Sequence, residues 1–252
     1  AASPETLAEP ASAIATPIDY GRLIEGGYLW GEDADASGQP RRYQEGQIGY
    51  EQYAARGFAL WGHRAEYALD FERNALPLTV MGQPLVADLR QRDRLTSDPF
   101  VLSGLELGWE PREAALARAV LAAQRERAAR TGIVTMAGED ALAEPPHFFY
   151  YYGVFTNNRA FGIDVQAPNA VVDGPRWIST KAAFGWHALL PSAYTLRAVR
   201  AAAAAEGPAG WASGVYERGG STGVPNINTA AVVLEAALYD RLGRPILQLD
   251  NR

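Results

Sequence analysis

Between Asn226 and Pro245 the apolar residues Ile227, Ala230, Ala231, Leu234, Ala237, Leu238 and Leu242 recur at intervals of three and four, which gathers them on one side of an α-helix. Both ends of the segment are marked. Asn226 or Asn228 can accept from the first free backbone N–H groups, Gly243 supplies a left-handed terminator, and Pro245 blocks continuation. The spacing predicts a helix over about 227–242 with this stripe turned to the core. Just ahead, Arg218 to Pro225 holds three glycines and a proline and reads as a loop that brings Trp211 and Glu217 to the N-terminal end of the helix. A carboxylate, an indole and backbone donors meeting there make either a ligand site or a capped core helix with a tryptophan beside it.

Other stretches repeat the helical period. Gly49 to His63 sets Tyr50, Tyr53, Ala54, Phe58 and Trp61 on one stripe, and Arg64 to Asn74 reads as more helix. Pro111 suits the first turn of a helix running to about Arg130 and closed by Gly132, with Leu116, Ala119, Val120 and Ala123 inward. Ser179–Leu190 and Tyr194–Ala205 are helical, and Ile18–Ile24 is a short helix. Extended structure is expected where Leu78 to Asp88 flanks Gly82-Gln83-Pro84 as a hairpin, over Ile133–Met136, and in the aromatic run His147–Phe155. The count favours a mainly α fold: one domain over 16–252, preceded by an extended arm over 1–15. The connections are long and carry many Trp, Tyr, Phe, Asp and Glu, so they are expected to fold over one end of the helices.

Composition removes several classes. The 23 Lys and Arg against 29 Asp and Glu give a net charge of −6, and no basic stripe offers itself to nucleic acid. No run of eighteen apolar residues exists to span a bilayer. Cysteine is absent, which removes disulfides, thiol nucleophiles and thiolate metal sites. His63, His147 and His187 lie in unrelated contexts, better read as core histidines than as metal ligands. No metal or cofactor is expected, and no Gly-x-Ser-x-Gly elbow occurs. A start at Ala1-Ala2-Ser3-Pro4 fits a mature form after signal-peptide removal, hence a periplasmic or secreted protein.

What remains is carboxylates among aromatics: Asp19, Glu51, Asp98, Glu106, Glu139, Asp140, Asp164, Asp173 and Glu217. Glycosidic hydrolysis requires one carboxylic acid of raised pKa to protonate the leaving oxygen and a second carboxylate to activate water or attack the sugar. Aromatic walls desolvate the acid and offer flat apolar faces to sugar rings. Any one of these acids is more simply a cap or a surface ion pair; their number among aromatics tilts the reading.

A set of ordered motifs adds to this. Asp19-Tyr-Gly-Arg-Leu23, Tyr50-Glu51-Gln-Tyr-Ala, Ser97-Asp98-Pro99, Gly104-Leu-Glu106-Leu-Gly108, Gly138-Glu139-Asp140, Phe149-Tyr150-Tyr151, Ser179-Thr-Lys-Ala-Ala-Phe184, Gly210-Trp211-x-x-Gly-Val-Tyr-Glu217 and Asn228-Thr-Ala-x-Val-Val-Leu-Glu-Ala236 resemble the DUF3131 family. Its members are exported bacterial proteins often found near polysaccharide synthesis genes and similar to (α/α)-toroid glycoside hydrolases. The resemblance implies an incomplete (α/α) toroid of helical hairpins, with short β-hairpins and long aromatic loops at one end. Seven or eight helices are counted against about twelve in a full ring, so a protein partner is expected on the open flank.

The expected function is an extracytoplasmic carbohydrate-active domain that binds and hydrolyses a bacterial polysaccharide. Glu217 is expected as one catalytic acid, with Glu106, Asp98 or Glu139 as the other. Trp186, Trp211 and Tyr150 are expected as sugar platforms, with Arg159 and Asn228 completing the substrate-binding set. The alternative is a non-catalytic structural or accessory subunit of an extracytoplasmic or membrane-associated assembly.

Overall fold

A computed structural model describes residues 12–35, 37–44, 46–90, 94–145, 148–165, 171–172 and 174–247. Residues 1–11, most of the expected arm, lie outside this set, as do His147 and Asp173; residues 12–15 form a short helical turn.

After that turn come helix α1 (Tyr20–Leu23) and an antiparallel sheet of β1 (Ile24–Glu25), β2 (Tyr28–Ala34) and β3 (Pro40–Gln44), followed by α2 (Tyr50–Leu60). A hairpin of β4 (Ala75–Val80) and β5 (Gln83–Asp88) lies against the long helix α4 (Pro111–Thr131), after the shorter α3 (Asp98–Glu106). Next come β6 (Glu139–Ala141), β7 (Phe149–Tyr152), the small hairpin β8 (Phe155–Thr156) and β9 (Arg159–Ala160), then β10 (Ile163–Val165) and β11 (Val171–Val172). Four of these make a sheet in the order β11-β10-β7-β6. β12 (Trp177–Ser179) leads into α5 (Thr180–Leu189) and α6 (Ala193–Ala202), and after a 3-10 turn come β13 (Glu206–Gly207), β14 (Gly210–Trp211), β15 (Gly214–Tyr216) and α7 (Ile227–Leu242). β15 returns to pair with β12.

The chain is therefore a mixed α/β protein, about 40% helix and 25% strand in several small antiparallel sheets, and the expected mainly α toroid is overturned. The physical reason lies in the connections. Segments to which the sequence assigned no element, such as Tyr28–Ala34 and Pro40–Gln44, satisfy their backbone groups against each other over five paired positions. Arg64 to Asn74, read as helix, is a series of turns. The hairpin read over 78–88 is present, its turn closed by Met81 and Gly82 with φ of 51° and 78°, the left-handed pair that a two-residue hairpin turn requires.

The main core is a single cluster that includes Phe100, Leu105, Leu116, Val120, Trp177 and Trp186. α5 sits at its centre, packed against α3, α6 and α7. Pro111 and Gly132 (φ 75°) bound α4 as the sequence indicates. Asn226 caps α7 by accepting from the Thr229 N–H at 2.8 Å, and Gly243 ends it at φ 66°. The face, however, is reversed. Thr229, Val232 and Ala236 are buried, while Ile227 is 87% and Leu234 70% exposed, and Leu238 and Leu242 are exposed too. Both sides of α7 are apolar, and the side with smaller residues fits against α5. Leu234→Ser is therefore expected to change stability by no more than about 0.5 kcal/mol, and Val232→Ser to lower it by more than about 1 kcal/mol, in urea unfolding. No helix of the described residues is long and apolar enough to cross a membrane.

Candidate functional site: a carboxylate cleft where four helices begin

Tyr50 is the first residue of α2, Asp98 the first of α3, Lys181 the second of α5 and Asn226 the N-cap of α7, and all four line one cavity of about 230 Å³. Glu139 and Asp140, the first residues of β6, complete its wall. Helix N-termini present unpaired N–H groups and a partial positive charge, so their convergence offsets part of the charge of the acids gathered there. Close packing makes the convergence possible. Gly49, at φ 94°, starts α2 so near α3 that a Cβ would come within 2.6 Å of Pro99, and its N–H donates to Gln52 Oε1 at 2.6 Å.

Lys181 holds the acids together. Its Nζ lies 2.6 Å from Asp98 Oδ1 and 3.8 Å from Asp140 Oδ1, and donates to the Glu139 carbonyl and to Asn228 Oδ1. Asp98 Oδ2 accepts the Glu139 N–H at 3.0 Å, and Asp140 Oδ2 accepts from the Trp177 indole at 2.7 Å. Along β6 successive side chains point to opposite faces: Asp140 is buried against Trp177, and Glu139 is half-buried at the cleft, where the Tyr50 hydroxyl bonds its carboxylate. Lys181 is the one lysine in the chain, every other Lys or Arg being arginine. A compact ammonium fits among two carboxylates, a carbonyl and an amide oxygen in a way a planar guanidinium cannot.

The electrostatics separate the acids. Burial, reinforced by the neighbouring Asp98 carboxylate, pushes Glu139 up to about 7 against the opposing pull of Lys181 and the Tyr50 hydrogen bond. Burial likewise raises Asp140, with Lys181 opposing and Asp98 adding. Burial alone would lower Lys181, but Asp98 and Asp140 outweigh it and its pKa is raised. Tyr50 is raised well above the ordinary phenol value, first by burial and then by Glu139 and Asp98. At neutral pH Glu139 thus keeps its proton a substantial part of the time, beside the contact of the Lys181 ammonium with Asp98.

Of the residues singled out in the sequence, Asp98, Glu139, Asp140 and Asn228 meet here. Glu217 does not: both its oxygens are bound by Arg127 of α4 at 2.6 and 3.0 Å, with the Tyr152 hydroxyl at 3.4 Å, in an ion pair outside the cleft lining. Glu106 lies two turns beyond Asp98 on α3, roughly 12 Å along the axis, where the Tyr53 hydroxyl donates to it at 2.8 Å. Its neighbour there is Glu235, which burial and the charge of Glu106 push up to about 7. Trp186 is fully buried against Trp109, and Tyr150 is buried with its hydroxyl donating to the Glu144 carbonyl, so neither offers a ring face to a ligand. Trp211 packs edge-on against Phe184, and Arg159 is exposed in the β8–β9 hairpin. Sequence reasoning missed Lys181 and Tyr50 as site residues. The signal for Lys181 was present, a single lysine in an otherwise apolar helix start.

Comparison with curated proteins and with solved structures gives no match. The family model described as protein of unknown function (DUF3131) matches residues 3–243. That span takes in every element of the cleft, from Tyr50 on α2 to Asn228 on α7, and on it the chain belongs to the DUF3131 family.

Proposed function

We propose that the chain is an extracytoplasmic carbohydrate-active protein that hydrolyses a bacterial polysaccharide, with Glu139 as general acid and Asp98 as its carboxylate partner. One observation carries this reading: two carboxyl groups share a cleft in which burial and charge hold one near a pKa of 7 while an ammonium pairs the other. Divergent acids in one hollow are what glycosidic cleavage uses. Glu139 gives its proton to the leaving oxygen as the bond from the anomeric carbon breaks. Asp98 faces the positive charge that develops on the ring and takes the proton of the water that replaces the leaving group. The products are two shorter chains, and the proton on Asp98 returns to Glu139 through solvent.

The pH dependence tests the assignment of the acid. Protonated Glu139 is required, so the rate constant for polysaccharide cleavage is expected to be level below about 7 on the alkaline side of its optimum, then to fall about tenfold per pH unit above it. A rate that holds through pH 9 removes Glu139 from the role.

A second reading has its own observation. The uncovered stripe of Ile227, Leu234, Leu238 and Leu242 on α7 favours a docking role, as a non-catalytic subunit of an extracytoplasmic assembly. Mass measurement by size exclusion on protein purified from its source separates the two: a hydrolase travels alone, a subunit with its assembly.

A further inference from the structure

Tyr50 and Glu139 also border a second hollow. This outer chamber, of about 660 Å³, lies between α2 and the β2–β3 hairpin and is lined by Tyr43, Tyr53, Phe58, Gln47 and Trp30 among others. Its volume falls in the range of ordinary ligand sites, and it shares two residues with the acid cleft, so the two chambers meet at the proposed proton donor.

The sheet is built to keep an aromatic ring at the mouth. Tyr43 on β3 lies directly across from Gly31 on β2, and the far end of its ring occupies the space a side chain would take: a Cβ at Gly31 would come within 2.2 Å of Tyr43 Cζ. The ring is thus seated on backbone, and Tyr43 is still 37% exposed. Along α2, Tyr50, Tyr53 and Phe58 form the facing wall, the aromatic stripe legible in the sequence and only half-buried.

Of the three acids in the described lining, Glu32 and Glu51 are already paired and the third, Glu139, is the proposed proton donor. Glu32 is bound by Arg22 at 2.6 Å and Glu51 is bound by Arg90. Among the described lining residues of the outer chamber there is no Lys or Arg, and the inner chamber's one cation, Lys181, is committed to Asp98, Asp140 and Asn228. A sugar carboxylate entering here would leave water for a site whose bordering arginines, Arg22, Arg42 and Arg90, are already held by Glu32, Glu25 and Glu51, next to acids that repel it.

Resting on the hydrolase reading, we infer that the outer chamber is a subsite for uncharged sugar rings of the same chain that is cut at Glu139, with Tyr43 as its platform. The substrate is a neutral polysaccharide, and glycans rich in uronic acid are excluded by the lining.

The test uses the full chain carrying Glu139→Gln, so that ligand is bound without turnover, titrated calorimetrically with cellohexaose, laminarihexaose, chitohexaose and hexagalacturonate. At least one neutral hexasaccharide is expected to bind, and hexagalacturonate to bind more weakly than it. Adding Tyr43→Ala should weaken the neutral ligand roughly three- to tenfold, the scale of one lost aromatic face. Tyr43→Phe, which keeps the ring, should restore it, and Gly31→Val, which evicts the ring without removing it, should reproduce the loss. Absence of binding by every neutral probe, tighter binding of hexagalacturonate, or binding indifferent to Tyr43→Ala overturns the subsite. Abolished cleavage in Glu139→Gln together with binding indifferent to Tyr43 sinks the subsite alone; a parent chain that cleaves none of the neutral probes, with Tyr43-dependent binding retained, sinks the hydrolase reading alone.

Discussion

Glu139→Gln is expected to reduce polysaccharide cleavage by about 10²- to 10⁴-fold, the contribution of a positioned general acid. The substitution is close to a pure test of proton donation. A glutamine keeps the length and an oxygen that the Tyr50 hydroxyl can bond, and it keeps the backbone contacts, the N–H to Asp98 and the carbonyl from Lys181, that fix the residue in place. Only the transferable proton is lost. The carboxyl that burial and Asp98 push up to about 7 is also a source of pH-dependent instability, with a definite sign. Its folded value exceeds the unfolded one, so the native state holds the extra proton, and that stabilisation is complete below about 4.5 and lost as pH rises through 7. Glu139→Gln should therefore be no less stable than the parent at pH 8 while its turnover collapses. Turnover within threefold of the parent, measured as reducing ends released, would end the assignment.

The second large effect concerns folding. Lys181→Met removes the one cation that, among the described residues, pairs with Asp98 and Asp140, both buried, and breaking a buried ion pair from one side costs about 3–5 kcal/mol. A double variant, Lys181→Met with Asp98→Asn, should recover a large part of that loss, because it removes a stranded charge along with its partner. The deficit should also shrink between pH 8 and pH 5, since Asp140 and Glu139, both raised, take up protons over that range. Lys181→Arg is expected to rescue poorly, for the fork of a guanidinium does not fit the compact four-oxygen seat. Urea unfolding of the four proteins at two pH values checks all of this; a single variant as stable as the parent would show that the ammonium is not the keystone of the cleft.

What could be read from the sequence was what is local. Pro111 and Gly132 mark α4, and Asn226 and Gly243 mark α7, because caps are written within one turn of the ends they close. The buried face of α7 was not legible: Thr229, Val232 and Ala236 make as good an inward stripe as Ile227, Leu234 and Leu238, and only α5, nearly fifty residues earlier, decides between them. Most strands went unread because many have only two to four residues, too few to show a period. Glu217 was drawn toward α7 by chain proximity, yet its partner is Arg127, on a helix ninety positions away. Asp98, Glu139 and Asn228 were each noticed separately, but their meeting is a property of four helix starts converging, which no single segment records. The apolar setting of the sole lysine was the clearest pointer available to where they meet.

The order in which these parts are synthesised matters to when the cleft exists. Asn228 holds Lys181, and Val232 closes the same hollow, so the final wall comes from the last helix of the described chain. Before that helix docks, the acid cluster stands open to bulk water, and the burial that raises the Glu139 carboxyl is lost. The acid cluster is thus complete only once α7 has docked, although Asp98, Glu139 and Lys181 all stand on earlier elements.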